Sequence, residues 1–361
     1  MLEIKKKILV VDDSALMRSV LCDIINGSDN FCVKDRAING RDALDLILKN
    51  DYDAIVLDVN MPIMNGVELL KELHRRRFSA NIMMASTDTM EGAKVTLDCL
   101  ELGALDFIHK PDKAQDCRDG RFQEKFLRIL TTVANAKKSR FVASPTLNEM
   151  KATKKIVELA SKNVSTATKR NQIVALASST GGPKALHQVI PLLPGNLSCP
   201  IVIVQHMPAG FTKTLADRLN TMCELNVKEA EEGETIETGN IYISKGGAHM
   251  NIVRKGSTNV IHYTDEPQRE GVKPCANYMY ESLRNTSYEN ILCVVLTGMG
   301  QDGTEGIKNL KAVKKIHTIA QEESTCVVYG MPKAVVNNHL ADQIVPLGQI
   351  AQEIIMNVGV K

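Results

Sequence analysis

The sequence predicts two α/β domains in tandem, each built on a mostly parallel, doubly wound sheet. Three observations carry this. The chain has 361 residues and 44% hydrophobic content, enough for two separately buried cores. Short apolar runs alternate with amphipathic segments through most of its length, the pattern of repeated βαβ units. That alternation breaks once, across residues 131–170, and then resumes.

In the first domain, residues 1–130, the runs ILVV (8–11), AIVL (54–57), IMMA (82–85) and DFIH (106–109) read as strands. The segments near 14–26, 40–50, 65–77 and 92–102 carry helical spacing. Helices between successive strands imply parallel pairing with both sheet faces covered. Residues 131–170 hold nine basic against two acidic residues and are rich in Ser, Thr, Lys and Asn. Such a stretch can touch nucleic acid, an acidic protein or anionic lipid, but a solvated interdomain linker explains it more simply. KKIVELA, near 154–160, is its one helical run.

From residue 171 to 361 the alternation returns. IVALA, IVIV (201–204), NIYIS (240–244), ILCVVL (291–296), HTIA (317–320) and DQIV (342–345) read as strands. Helices are expected near 183–191, 212–222, 276–285, 303–313 and 332–338, and NIVRKGSTNVIHY reads as a hairpin turning at KGS. In such open sheets ligands gather at the carboxyl ends of the strands, so the polar residues that follow each run are the candidates for chemistry.

Composition narrows the function classes. The run at 8–11 is too short for a signal peptide or membrane span and no later run reaches that length, so a cytoplasmic, monomeric protein without membrane insertion is expected. Nine cysteines, none spaced CxxC, read as reduced thiols and not as a disulfide or zinc framework. The net charge is +2 overall, but residues 171–361 carry 16 basic and 18 acidic side chains and no basic recognition helix, which argues against nucleic acid as a partner.

Two constellations stand at strand ends. In the first domain Asp12 and Asp13 follow ILVV and Asp58 follows AIVL. If those strands are neighbours, the carboxylates converge and call for a hard cation such as Mg²⁺. Ser86 follows IMMA and Lys110 follows DFIH, adding a hydroxyl and an ammonium at the same edge. Each residue alone could be a cap or a solvated side chain. Together they make a coherent phosphoryl-acceptor site. VDDSALMR, LDVNMPIMNG, MMASTDT and LELGALDFIHKP resemble two-component receiver domains closely. The resemblance implies a flavodoxin-like (βα)5 fold, phosphorylation at Asp58, Mg²⁺ held by Asp12, Asp13 and Asp58, and Phe107 as an aromatic switch beside Ser86 and Lys110. Asn60 and Asn65 stand where the family often has an acid.

In the second domain the run VALA leads into Ser178-Ser179-Thr180-Gly181-Gly182-Pro183. A serine on a sharp strand-to-helix turn is held outward above free helix N–H groups, as a nucleophile requires. By itself SSTGGP fits equally a phosphate-binding glycine loop or a helix N-cap. His206 after IVIV-Gln205 and Asp302 in TGMGQDG favour the nucleophile, because serine, histidine and aspartate then each follow a different strand. Their order Ser, His, Asp differs from that of ordinary α/β-hydrolases.

SSTGGP, QHMPAGFTKTLADRLN, VKEAEEGE, GMGQDGTEGIKNL and AQEESTCVVYGMPKAV are similar to the catalytic domain of chemotaxis protein-glutamate methylesterases. The resemblance covers nearly all of 172–350 and implies a three-layer αβα, mostly parallel-sheet hydrolase that demethylates glutamate methyl esters and deamidates glutamines. It puts the triad on Ser179, His206 and Asp302, with Met299 and Thr180 supporting the oxyanion. The implied partners are methyl-accepting chemotaxis receptors as substrate and a chemotaxis histidine kinase as phosphodonor, with no cofactor in the catalytic domain. Ala177 replaces a family glycine, where a methyl is expected to crowd the turn, and Lys273-Pro274-Cys275-Ala276-Asn277 replaces Arg-Pro-Ser-Val-Asp. Two alternatives differ in outcome: a response regulator whose second domain only binds, and a hydrolase of small esters.

Overall fold

The structure, a computed structural model, describes residues 5–86, 90–111, 113–136 and 171–361, which fall into two units with separate sheets. The proposed helix near 154–160 and most of the linker lie outside the described residues.

The N-terminal unit alternates β1 (Lys6–Val11), α1 (Ala15–Asn26), β2 (Phe31–Ala37), α2 (Gly40–Lys49), β3 (Ala54–Asp58), α3 (Gly66–Arg75), β4 (Ile82–Ser86), α4 (Met90–Glu101), β5 (Asp106–His109) and α5 (Gly120–Asn135). Its five strands pair in parallel in the order β2-β1-β3-β4-β5. The helices start where the sequence supplies caps: Ser14 accepts from Met17 N, Asn39 from Asp42 N, and Asn65 and Glu68 close a capping box. Asn65 is therefore a helix cap, which needs an acceptor oxygen and no charge.

Two elements escaped sequence reading. Strand β2, FCVKDRA, lies at the sheet edge with only Phe31 and Ala37 buried, so it has no apolar run to recognise. Helix α5 runs past residue 130 because Phe126, Ile129, Leu130 and Val133 continue its buried stripe.

The C-terminal unit contains β6 (Gln172–Ser178), α6 (Gly182–Val189), β7 (Ile201–Gln205), α7 (Phe211–Asn220), β8 (Asn226–Glu229), β9 (Asn240–Ile243), β10 (His249–Lys255) and β11 (Thr258–Thr264). It continues with α8 (Ala276–Ser282), β12 (Asn290–Val295), α9 (Thr304–Lys311), β13 (Lys315–Gln321), α10 (Met331–Asn337), β14 (Gln343–Val345) and α11 (Leu347–Val358). Seven strands form one parallel sheet in the order β14-β13-β12-β6-β7-β9-β8. Strands β10 and β11 form the expected antiparallel hairpin, with Lys255 opposite Thr258 across a Gly256-Ser257 turn. The short edge strand β8 (NVKE) and helix α11 were not expected from sequence.

This order fixes where chemistry can occur. Strand β6 is central, with β7 next to it on one side and β12 on the other, so the carboxyl ends of β12, β6 and β7 meet at a topological switch point. Ala177 lies within β6, fully buried opposite Val204 and Val295, and its methyl belongs to the core beneath the turn. The expected crowding is therefore displaced into ordinary strand packing.

Candidate active site and phosphoacceptor site

In the N-terminal unit the adjacency of β1 and β3 brings Asp12, Asp13 and Asp58 to one edge. Each can offer an oxygen, and these oxygens lie within 4.8 Å of one another. Asp12 and Asp58 are buried and Asp13 is exposed. Lys110 reaches across from the end of β5, its Nζ 3.0 Å from Asp12 Oδ2 and 2.7 Å from Asp58 Oδ1. Ser14 N donates to Asp12 Oδ1 and Val59 N to Asp58 Oδ1, which fixes both carboxylates.

Burial pushes the Asp58 carboxyl up to about 6 despite the opposing pull of Lys110. Burial also works against the Lys110 ammonium, but the two carboxylates outweigh it and its pKa is raised. The result is a negative, oxygen-only cluster with one bound cationic side chain. That donor set fits Mg²⁺, with Asp12, Asp13 and Asp58 as the residues that would hold it. Ser86 ends β4 and is buried, and Lys110 N donates to its carbonyl at 2.7 Å. Phe107, in β5, is 7% exposed.

In the C-terminal unit Ser179 is the first residue beyond β6. Its N–H donates to Thr297 O at 3.0 Å and its carbonyl accepts from Gly182 N at 2.7 Å and from Gln205 Nε2 at 3.0 Å. The turn is completed by Gly181 at φ 77°, in the left-handed region that favours glycine. Helix α6 begins immediately afterwards with Pro183 in its first turn. Ser178, by contrast, is fully buried, its hydroxyl donating to Gln205 Oε1 at 2.7 Å.

His206 follows β7, and its N–H donates to Ser178 O at 3.1 Å, so the imidazole and Ser179 hang from adjoining strand ends. Its Nε2 lies 2.7 Å from Asp302 Oδ2, which leaves Nδ1 as the ring nitrogen for other work. Asp302 is 1% exposed and fully engaged. Oδ2 also accepts from Ala276 N at 2.6 Å, and Oδ1 accepts from the Cys275 thiol at 3.0 Å, Asn277 N at 2.9 Å and Gly303 N at 2.9 Å. Burial pushes the Asp302 carboxyl up, but His206, Cys275 and the Ala276 amide outweigh it, so its pKa is lowered and it is held as an anion.

The loop after β12 runs directly against Ser179. A Cβ on Gly298 would come 2.8 Å from the Ser179 Cβ, and Gly298 O accepts from Gly330 N and Met331 N. Met299 is the next residue, between this contact and Asp302. Thr180 is 6% exposed, and its carbonyl accepts from the Thr297 hydroxyl at 3.0 Å. His249 is fully buried at the start of β10 with its ring edge-on to Tyr278 at 4.7 Å.

Sequence reading missed the residues that hold this arrangement. Gln205 bridges Ser178 and Ser179, Gln321 Oε1 accepts from Thr297 N at 2.8 Å, and Cys275 to Asn277 wrap Asp302. The departure at 273–277 therefore lies on the aspartate and not merely on a pocket wall. The only signal in the sequence was polar residues inside or just beyond buried runs.

Comparison with known proteins agrees with both halves. The CheB methylesterase family model matches residues 174–354, and the response regulator receiver domain model matches residues 8–119. The chain is 39% identical over 357 residues to a protein-glutamate methylesterase/protein-glutamine glutaminase of Syntrophomonas wolfei, covering 97% of this chain and 99% of that protein. The Bacillus subtilis protein of the same name is 38% identical over 351 residues, covering 96% and 97%. The crystal structure of the Thermotoga maritima CheB methylesterase catalytic domain matches with 40% identity and TM-score 0.49, covering 51% of this chain and 96% of that domain. The chain belongs to the protein-glutamate methylesterase/protein-glutamine glutaminase family of chemotaxis, with a response regulator receiver domain preceding its CheB methylesterase domain.

Proposed function

We propose that this carboxylic ester hydrolase removes methyl groups from glutamate methyl esters on methyl-accepting chemotaxis receptors, releasing methanol, and deamidates glutamines by the same acyl chemistry. The observation that carries the reading is the His206–Asp302 pair at 2.7 Å, with Ser179, His206 and Asp302 each following the carboxyl end of one of three adjoining strands. Ser179 Oγ attacks the ester carbonyl while His206 Nδ1 takes its proton. Asp302 holds the tautomer with the proton on Nε2 and stabilises the imidazolium that forms. The N–H groups of Met299 and Thr180 stabilise the oxyanion. Collapse of the tetrahedral intermediate sends the His206 proton to the departing methoxide. Water, activated by the same imidazole, then hydrolyses the acyl-enzyme to glutamate and frees Ser179.

The receiver domain accepts a phosphoryl group on Asp58 from a chemotaxis histidine kinase. Asp12, Asp13 and Asp58 would hold Mg²⁺, which would supply charge neutralisation for that transfer. Phosphorylation adds about −1.5 to −2 charge at the sheet edge, which Ser86 and Lys110 bind while Phe107 repacks, and this activates the hydrolase. The protein acts as a cytoplasmic monomer without nucleic acid. Among the described residues no helix is long and apolar enough to cross a membrane. Methanol release from methylated receptor membranes, with and without a small-molecule phosphodonor, tests the reading. Inert protein whose Asp58 still takes phosphate would favour a binding module instead.

A further inference from the structure

Helices α8 and α9 cap each other at the triad aspartate. Helix α8 has no cap of its own, because Cys275 at its N-cap position makes no side-chain bond to its amides. The amides of Ala276 and Asn277, its first two residues, are taken by Asp302 instead. Helix α9 starts after Gly303, which likewise offers no side-chain cap. Its start is held by Asn277 Oδ1, which accepts from Gly303 N at 3.1 Å and Gly306 N at 2.7 Å. Each helix thus supplies the acceptor that the other's first turn lacks. Asp302 and Asn277 even share one donor, since Gly303 N also lies 2.9 Å from Asp302 Oδ1.

Two acceptors on one N–H lie close together, and both residues are buried. A carboxylate at position 277 would satisfy the same amides but would place a second negative charge beside Asp302. Asparagine satisfies them without charge, and it does so at a cost, because its Nδ2 is buried without a hydrogen-bond partner. We propose that Asn277 is a positioning residue for the triad: it clamps the start of α9, and with it Asp302, through a neutral acceptor, so that the negative field acting on His206 is not reinforced at this junction. This rests on the triad reading above.

The other titratable groups near this junction are neutral, ion-paired or exposed to solvent. The Cys275 thiol is pushed up by burial and by Asp302, and the Tyr280 phenol of α8 is pushed well up by burial. Arg269, on the segment before α8, is paired with Glu281 at 2.9 Å. Glu305, in the first turn of α9, lies 3.6 Å from Lys308. Glu270, on the same segment as Arg269, lies within reach of the Gln301 amide at 3.3 Å and is exposed.

The test compares Asn277→Asp and Asn277→Ala with wild type in the full-length protein. Asn277→Asp retains the caps, so its melting temperature should stay within a few degrees of wild type, while the added charge favours the imidazolium. The protonation midpoint of His206, read by imidazole nitrogen NMR and assigned by its loss in His206→Gln, should rise by about one pH unit. The acid limb of the kcat/KM profile for methanol release should move with it. Asn277→Ala removes the acceptor for Gly303 N and Gly306 N at the start of α9 and should lower kcat about tenfold or more with little change in KM, through loss of alignment. A His206 midpoint and acid limb unmoved in Asn277→Asp overturn the proposal, as does a full wild-type kcat in Asn277→Ala. The NMR arm does not need esterase activity: a wild-type protein that releases no methanol defeats the functional reading, whereas the NMR midpoint still decides the role of Asn277.

Discussion

His206 turns Nε2, not Nδ1, toward Asp302 at 2.7 Å, and the backbone N–H of the same histidine donates to the carbonyl of Ser178, the residue before Ser179. The ring is thereby tied at both ends, to β6 through its backbone and to the α8–α9 junction through its side chain. The imidazole therefore has little freedom to leave Asp302, the kind of restraint that pre-organised proton transfer needs.

Replacing Ser179 by Ala should reduce methanol release at least about a thousand-fold while leaving phosphate uptake at Asp58 intact. Ser178→Ala is the internal control. It removes a buried hydroxyl bonded to Gln205 and should cost about 1–2 kcal/mol of stability with activity within about tenfold of wild type. An inactive Ser178 variant beside an active Ser179 variant would place the nucleophile one residue earlier.

Asp302→Asn should lower kcat by about 10³–10⁴-fold, because the amide no longer fixes the productive tautomer of His206. It should also lower stability by about 1–3 kcal/mol, because the anion that takes the Ala276, Asn277 and Gly303 amides is gone. The second effect is read as a lower urea midpoint with unchanged slope. A kinetic defect without any shift in midpoint would mean that the cap on α8 contributes nothing.

At the phosphoacceptor site, Asp58→Ala should eliminate acid-labile phosphate incorporation and Asp13→Ala should weaken Mg²⁺ binding. Burial holds the Asp58 carboxyl near about 6, so below that pH a proton competes with the cation. Mg²⁺ affinity measured calorimetrically should therefore fall between pH 7.5 and about 5.5, more steeply than in Asp58→Asn. Identical pH dependence in the two proteins would remove Asp58 from the cation site.

His187 offers a stability prediction away from the chemistry. Burial depresses its pKa from the ordinary 6.5 to about 4, although Nδ1 donates to Pro183 O at 2.8 Å. The folded state thus resists a proton that the unfolded state accepts. The associated stability is complete above about pH 6.5 and is lost as pH falls toward about 4, amounting to about 3 kcal/mol. In His187→Gln the decline of urea midpoint across that window should be shallower; an unchanged decline would assign it to other groups.

Residues 171–361 alone should release methanol faster than the intact, unphosphorylated protein. Domains tethered in one chain meet at high effective concentration, so even weak inhibition by the receiver would be felt until phosphorylation relieves it. Moving a mostly closed population to mostly open takes about 5 kcal/mol, so phosphorylation should activate less completely than removing the receiver. A fragment no faster than the intact protein would show that the receiver is not an inhibitor.

The sequence by itself determined the alternation of strands and helices, because buried parallel strands such as IVIV and ILCVV are unbroken apolar runs flanked by amphipathic helices. It determined the candidates as well, since the switch-point rule makes the residues after those runs chemically exposed. It did not disclose β2 or β8, edge strands whose polar sides face water and which therefore carry no run. Nor did it disclose the roles of Gln205, Cys275 and Asn277. Their functions lie in contacts between residues 25 to 29 positions apart, such as Asn277 with Asp302 and with Gly306, and no local pattern encodes such a contact. Only the tertiary structure decided which ring nitrogen of His206 meets Asp302 and which helix Asp302 caps. Those choices depend on the register of β12, β6 and β7 and on the packing of α8 against α9, and a hydrogen bond exists only when that packing brings donor and acceptor to about 3 Å.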